Sequence, residues 1–100
     1  FNAAMGLARC GKLESTAVLL EMLDPENEAI TSGEPEGSHP FKRSVVITNA
    51  IRAVVSLSEF HQVAELSDLI NAMQKLDSNE NVVSQTKLLA KDAVVKIRTK

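Results

Sequence analysis

The chain repeats itself, and the repeat limits what it can fold into more than any other feature. Displaced by 50 residues, Ala3-Ala-Met-Gly-Leu-Ala-Arg9 lies over Ala53-Val-Val-Ser-Leu-Ser-Glu59, and Leu19-Leu-Glu-Met-Leu23 lies over Leu69-Ile-Asn-Ala-Met73. Displaced by 40, Ala50-x-x-Ala53-Val-Val-x-Leu57 lies over Ala90-x-x-Ala93-Val-Val-x-Ile97. A unit of about 40 residues, with about ten more in the loop of its first copy, accounts for both offsets. One such unit cannot bury its apolar face alone, so units must stack.

Each unit reads as helical. In the first segment Phe1, Ala4, Met5 and Ala8 share a face, and Gly11 is placed to end the helix. Ser15 or Thr16 can cap the second, whose stripe is Thr16, Leu19, Leu20 and Leu23, and Pro25 cannot continue it. The third runs from about Phe41 or Ser44 to Ser58. Its β-branched stretches resemble strand, but the run is too long for one and holds no Gly or Pro. Val63, Leu66, Leu69, Ile70, Met73 and Leu76 form the stripe of the fourth. Val82, Thr86, Leu89, Ala90, Ala93, Val94 and Ile97 form that of the fifth.

Residues 25–40 interrupt the pattern. All three prolines, two of the four glycines and four glutamates sit there, with no Lys or Arg. Little apolar surface is available to offset the entropy of ordering it, which predicts a mobile loop. The resulting organisation is a helix pair at 1–24, an inserted loop at 25–40, a helix pair at 41–77, and the first helix of a third unit at 82–98.

Composition excludes several classes. There are three Phe and no Trp or Tyr, so the core must be aliphatic. A net charge of −2 argues against a strongly basic nucleic-acid binder. The charge is uneven: residues 1–40 carry two bases against seven acids, and residues 41–100 carry nine against six. Cys10 is the only cysteine and allows no intrachain disulfide. No apolar run approaches the roughly 20 residues of a membrane span. The N-terminal stretch has no basic segment or cleavage pattern of a signal peptide, and a start at Phe1 in mid-pattern suggests a piece cut from a longer protein.

Asn2-Ala-Ala-Met-Gly-Leu-Ala-Arg-Cys-Gly11, a short turn, and Ala17-Val-Leu-Leu-Glu-Met-Leu-Asp24 together resemble a HEAT repeat, closest to the short bacterial phycobilisome-lyase HEAT-like kind. The shared features are paired alanines, a Leu three residues on, a Gly ending the first helix, and a Leu-rich second helix ending at Asp. The second copy has His61 and Gln62 in place of the Gly turn, and Val82-Val83 lacks the Arg that usually follows Val. The resemblance implies an all-α, right-handed superhelix, a HEAT-like solenoid of about two and a half helix pairs. It also implies that the second helix of each pair lines a concave, partner-binding face. That places Glu21, Asp68, Asn71 and Lys75 on the protein-binding surface.

No catalytic, cofactor or metal constellation emerges. Gly6-Leu-Ala-Arg-Cys-Gly11-Lys12-Leu13 nearly spells a phosphate-binding loop, but Leu13 lacks the Mg²⁺-binding hydroxyl and the segment reads as helix. Asp77, Asn79 and Asn81 mimic early calcium-loop positions, yet Val82 and Leu88 stand where Gly and Glu are required. His39 and His61 have no metal-ligand pattern around them. Lys87, Lys91, Lys96, Arg98 and Lys100 against Asp92 read as a solvated helix face. The expectation is a non-catalytic protein–protein interaction scaffold with no cofactor, able to self-associate through helix 82–98. The resemblance leaves two alternatives, a bilin-lyase-type protein and a double-stranded DNA-binding module. The absence of Tyr and Trp disfavours single-stranded nucleic acid.

Overall fold

The helical periods of the sequence become five α-helices in the computed structural model, which describes residues 2–30, 33 and 35–99. They are α1 (Asn2–Arg9), α2 (Thr16–Met22), α3 (His39–Ser58), α4 (Ser67–Lys75) and α5 (Ser84–Arg98). Short 3₁₀ turns at Leu13–Ser15, Glu28–Ile30, Glu36–Ser38, Val63–Leu66 and Leu76–Ser78 flank them. The described residues contain no strand. Phe1, Thr31, Ser32, Glu34 and Lys100, which the sequence placed on a helix face, in the loop or in the basic tail, lie outside the described residues.

The helices pack in two rows. α3 has α1 on one side and α5 on the other, while α2 lies beside α4. α2 also packs on α1 and α3, and α4 on α5. The chain measures 39 × 26 × 16 Å. The short axis suits two layers of helices spaced about 8–10 Å apart.

The core is aliphatic. Leu19, Met22, Leu23, Ile47, Ile51, Leu57, Leu66, Leu69, Ile70, Met73, Leu76 and Ile97 are fully buried, whereas Phe41 and Phe60 are 74% and 58% exposed. Many repeat-equivalent positions are buried alike, although Ala3 and Leu7 are exposed where their counterparts Ala53 and Leu57 are buried. Ala4 and Val54, Leu19 and Leu69, Ala50 and Ala90, Ala53 and Ala93, and Leu57 and Ile97 are all core residues. Small alanines at these positions let α1, α3 and α5 approach closely.

Several details differ from the sequence expectation. α3 begins at His39, because Pro40 falls in the first turn, where no amide partner is needed. In α2 the buried residues are Leu19 and Met22, with Leu23 buried just past its end, and Thr16 and Leu20 are only partly covered. Ser15 stands at the N-cap of α2, but its hydroxyl donates backwards to the Lys12 carbonyl (2.9 Å). Val63 is exposed because it starts a 3₁₀ turn ahead of α4. Of the fifth stripe, Val82 just ahead of α5 and Thr86, Ala90, Ala93, Val94 and Ile97 within it are buried, Leu89 is partly covered, and the exposed apolar groups Leu88 and Val95 lie on another face.

The start of the 25–40 loop is fastened. Arg43 Nε donates to the Pro25 carbonyl (3.0 Å), and the side-chain amides of Asn79 and Asn81 both donate to Glu26 Oε1 (3.1 Å each). The Ala29 amide closes onto Asn27 Oδ1 (3.0 Å). These polar partners come from α3 and from the α4–α5 turn, so a local count of apolar residues does not reveal them.

Candidate functional site

On α4, Asp68, Asn71, Ala72 and Lys75 follow helical three- and four-residue steps, so they share one face. Leu69, Ile70 and Met73 turn into the core. The short α2 sets Leu20 and Leu23 opposite that face. Between the two helices runs an open groove of about 560 Å³. Leu20, Leu23, Ala72 and Leu76 form its apolar bed, and Asp24, Asp68, Asn71, Lys75 and Asn79 its polar rim. Three of the four residues expected at a binding surface therefore meet here. Glu21 is exposed but does not line the groove. Its carbonyl instead accepts a hydrogen bond from the Asn27 side chain (3.2 Å).

Sequence reasoning missed Asp24, Pro25 and Asn79 as groove residues. The sequence marks Pro25 as a helix stop and Asn79 only as an incomplete calcium-loop likeness, and neither mark points to the groove. What brings them together is the Glu26 bridge, which ties residues 53 and 55 positions apart. The nearest available signal was the Asn79-x-Asn81 pair, two amides whose donors must find acceptors. Their hydrogen bonds hold the Glu26 carboxyl below the ordinary glutamate range, Asn79 contributing most, then Asn81, with the Arg43 charge adding to the effect.

At the opposite end of α2 and α4, the two interhelix turns meet. Lys12 and Gly11 amides donate to Leu7 (2.9 Å) and Ala8 (3.0 Å) carbonyls, closing α1 through Gly11 at φ +76°. Phe60 lies against Gly11, and His61 Nε2 is 2.6 Å from the Gly11 carbonyl. A carbonyl only accepts, so Nε2 carries the hydrogen. His61 Nδ1 is 3.3 Å from Glu65 Oε2, while the Gln62 amide donates to Glu65 Oε1 (3.0 Å). The Gln62 amide, and after it His61, hold the Glu65 carboxyl below the ordinary range. His61 thus fills the place of the expected second Gly turn with a bridge back to the first.

A second furrow lies on the other layer, along the seam of α3 and α5. One section, of about 720 Å³, includes Phe41, Val45, Arg52, Val83 and Leu89. The next, of about 250 Å³, shares Arg52 and Leu89 and adds Asp92 and Lys96. Among the described residues no three His, Cys, Asp or Glu side chains converge as a metal site would require. No described helix is long and apolar enough to cross a membrane.

No protein-family model, curated protein or solved structure matches the chain.

Proposed function

We propose that the chain is a non-catalytic protein–protein interaction scaffold built of HEAT-like repeats, its two rows of helices forming part of a right-handed solenoid. The observation that carries this reading is the combination of repeat-matched burial with row-wise packing. Pairs such as Leu19 and Leu69, Ala50 and Ala90, and Leu57 and Ile97, displaced by 50 or 40 positions, are buried alike, and equivalent helices lie side by side. A stack of this kind presents long shallow grooves rather than an enclosed cavity. In this reading the α2–α4 groove is the partner-binding face, with Asp68, Asn71 and Lys75 as its polar contacts and Leu20 and Ala72 as its apolar bed. Its mixed rim, two acids and one lysine among neutral amides, suits a protein surface better than a polyanion.

The test compares the chain with a variant of reversed rim charge, Asp68→Lys with Lys75→Glu, as immobilised bait. Both altered side chains are exposed, so the variant should keep its helical circular dichroism. At least one protein should be retained by the chain and lost by the variant. An identical set retained by both baits would overturn the assignment.

A further inference from the structure

The α3–α5 seam lies on the other layer from the proposed groove and has a different character. α3 carries Lys42, Arg43 and Arg52 with no acid, and α5 carries Lys87, Lys91, Lys96 and Arg98 against Asp92. Those two helices hold seven bases to one acid, whereas the rest of the chain holds four to twelve. Two of the seven are engaged elsewhere: Arg43 with the Pro25 carbonyl, and Lys91 with Asp77 (3.0 Å). Arg52 and Lys96, both in the furrow, form no ion pair among the described residues.

The upper half of the furrow exposes an apolar patch among Ser44, Thr48, Asn49 and Gln85. Phe41 is the most exposed large apolar residue of the described chain, and Val45 and Val83 stand open beside it. Phe41 and Val45 are one helical turn apart, about 6 Å, and Arg52 follows about 10 Å beyond Val45 at the rise of an α-helix. An apolar platform is therefore followed by a cation two turns on, and then by Lys96 across the seam.

We propose that this furrow is a second docking surface, and that its occupant is an acidic amphipathic helix of a protein partner. Its apolar side chains, at helical spacing, seat on Phe41, Val45 and Val83. Carboxylates about two turns further along reach Arg52 and Lys96. A helix fits because the site is a seam between two helices, with no sheet edge for a strand to join. The open surfaces of Phe41, Val45 and Val83 suit apolar side chains better than a phosphate backbone, and Asp92 in the lower half repels one. The carboxylate preference follows from Arg52 and Lys96, two cations against the one acid, Asp92, that lines the furrow. This surface is independent of the α2–α4 groove, and neither needs the other to be correct.

The experiment uses the whole chain, ¹⁵N-labelled, and a synthetic helical peptide of about 15 residues, long enough to hold a helix. The peptide carries leucines at helical spacing and glutamates between them. Its twin replaces every glutamate with lysine. The glutamate peptide should shift amides of residues 41–52 and 83–96, and its affinity should fall as salt rises. Phe41→Ala and Arg52→Glu, both at exposed positions, should each weaken it about tenfold or more. Equal binding of the lysine twin would overturn the proposal. So would shifts confined to Asp68, Asn71 and Lys75, which would place the peptide in the other groove. Concentration-dependent shifts in residues 41–52 without peptide would assign the furrow to a second copy of the chain. Displacement of the peptide by a short DNA duplex at low salt would assign it to nucleic acid.

Discussion

Gly11 shows how much one residue can decide. Its φ of +76° lies where a side chain costs about 1–2 kcal/mol, and a Cβ there would come within 2.5 Å of the Phe60 ring. Gly11→Ala should therefore destabilise by about 2 kcal/mol or more, read from denaturant midpoints. Gly6→Ala is the control, because nothing lies within 4 Å of a Cβ at that position. At a helical site with open space it should be neutral or mildly stabilising. Equal losses would show that the Phe60–Gly11 contact does not order the turns. Glu65 and Glu26 contribute to the acid response. Both carboxyls are held below their ordinary value, so their contribution is complete above the unfolded glutamate pKa of about 4.3 and is lost as pH falls through the lower folded values. Glu65→Gln should make stability fall less between neutral pH and about pH 3 than it does in the parent. Equal falls would contradict the role of the Gln62 and His61 partners.

At the scale of an element, α4 carries the plainest division of labour. Leu69 is fully buried in the aliphatic core, so Leu69→Ala should cost about 2–4 kcal/mol. Glu21→Ala, at an exposed position of α2, should stay within about 0.5 kcal/mol. Equal effects would mean that the helix faces are wrongly assigned. The α4 face was legible in the sequence because nine regular helical residues hold a strict apolar stripe, leaving Asp68, Asn71 and Lys75 together opposite it. Glu21 was less legible. α2 has only two turns and buries Met22 between Leu19 and Leu23, which rotates the outward face and takes Glu21 off the groove. The loop anchors were not legible at all. Pro25, Glu26, Asn79 and Asn81 make contacts that depend on how α2 meets the α4–α5 turn, and no local period encodes that. His61 likewise reads as a lost glycine until its ring is seen to span two turns 50 residues apart.

For the whole molecule, repetition has two consequences. The first is an exposed apolar face on α5. Leu88 and Val95, 60% and 61% exposed, stand two turns apart on the side away from the buried stripe. Copies of the chain should associate weakly through it, since unburied apolar patches favour covering. Sedimentation equilibrium should show a concentration-dependent mass that Leu88→Lys with Val95→Lys returns to monomer. A parent that is monomeric at millimolar concentration would remove α5 as an association face. The second consequence is the shared groove between α2 and α4, which carries the functional reading. Its most direct test is a photo-activated cross-linker placed at Asn71, on the groove rim, and separately at Glu59, exposed in the α3–α4 turn and outside both grooves. In cells, a discrete protein adduct should form from Asn71 and be lost when Asp68→Lys and Lys75→Glu are added, with none from Glu59. The same adducts from both positions, or none from Asn71, would contradict a protein-binding groove between α2 and α4.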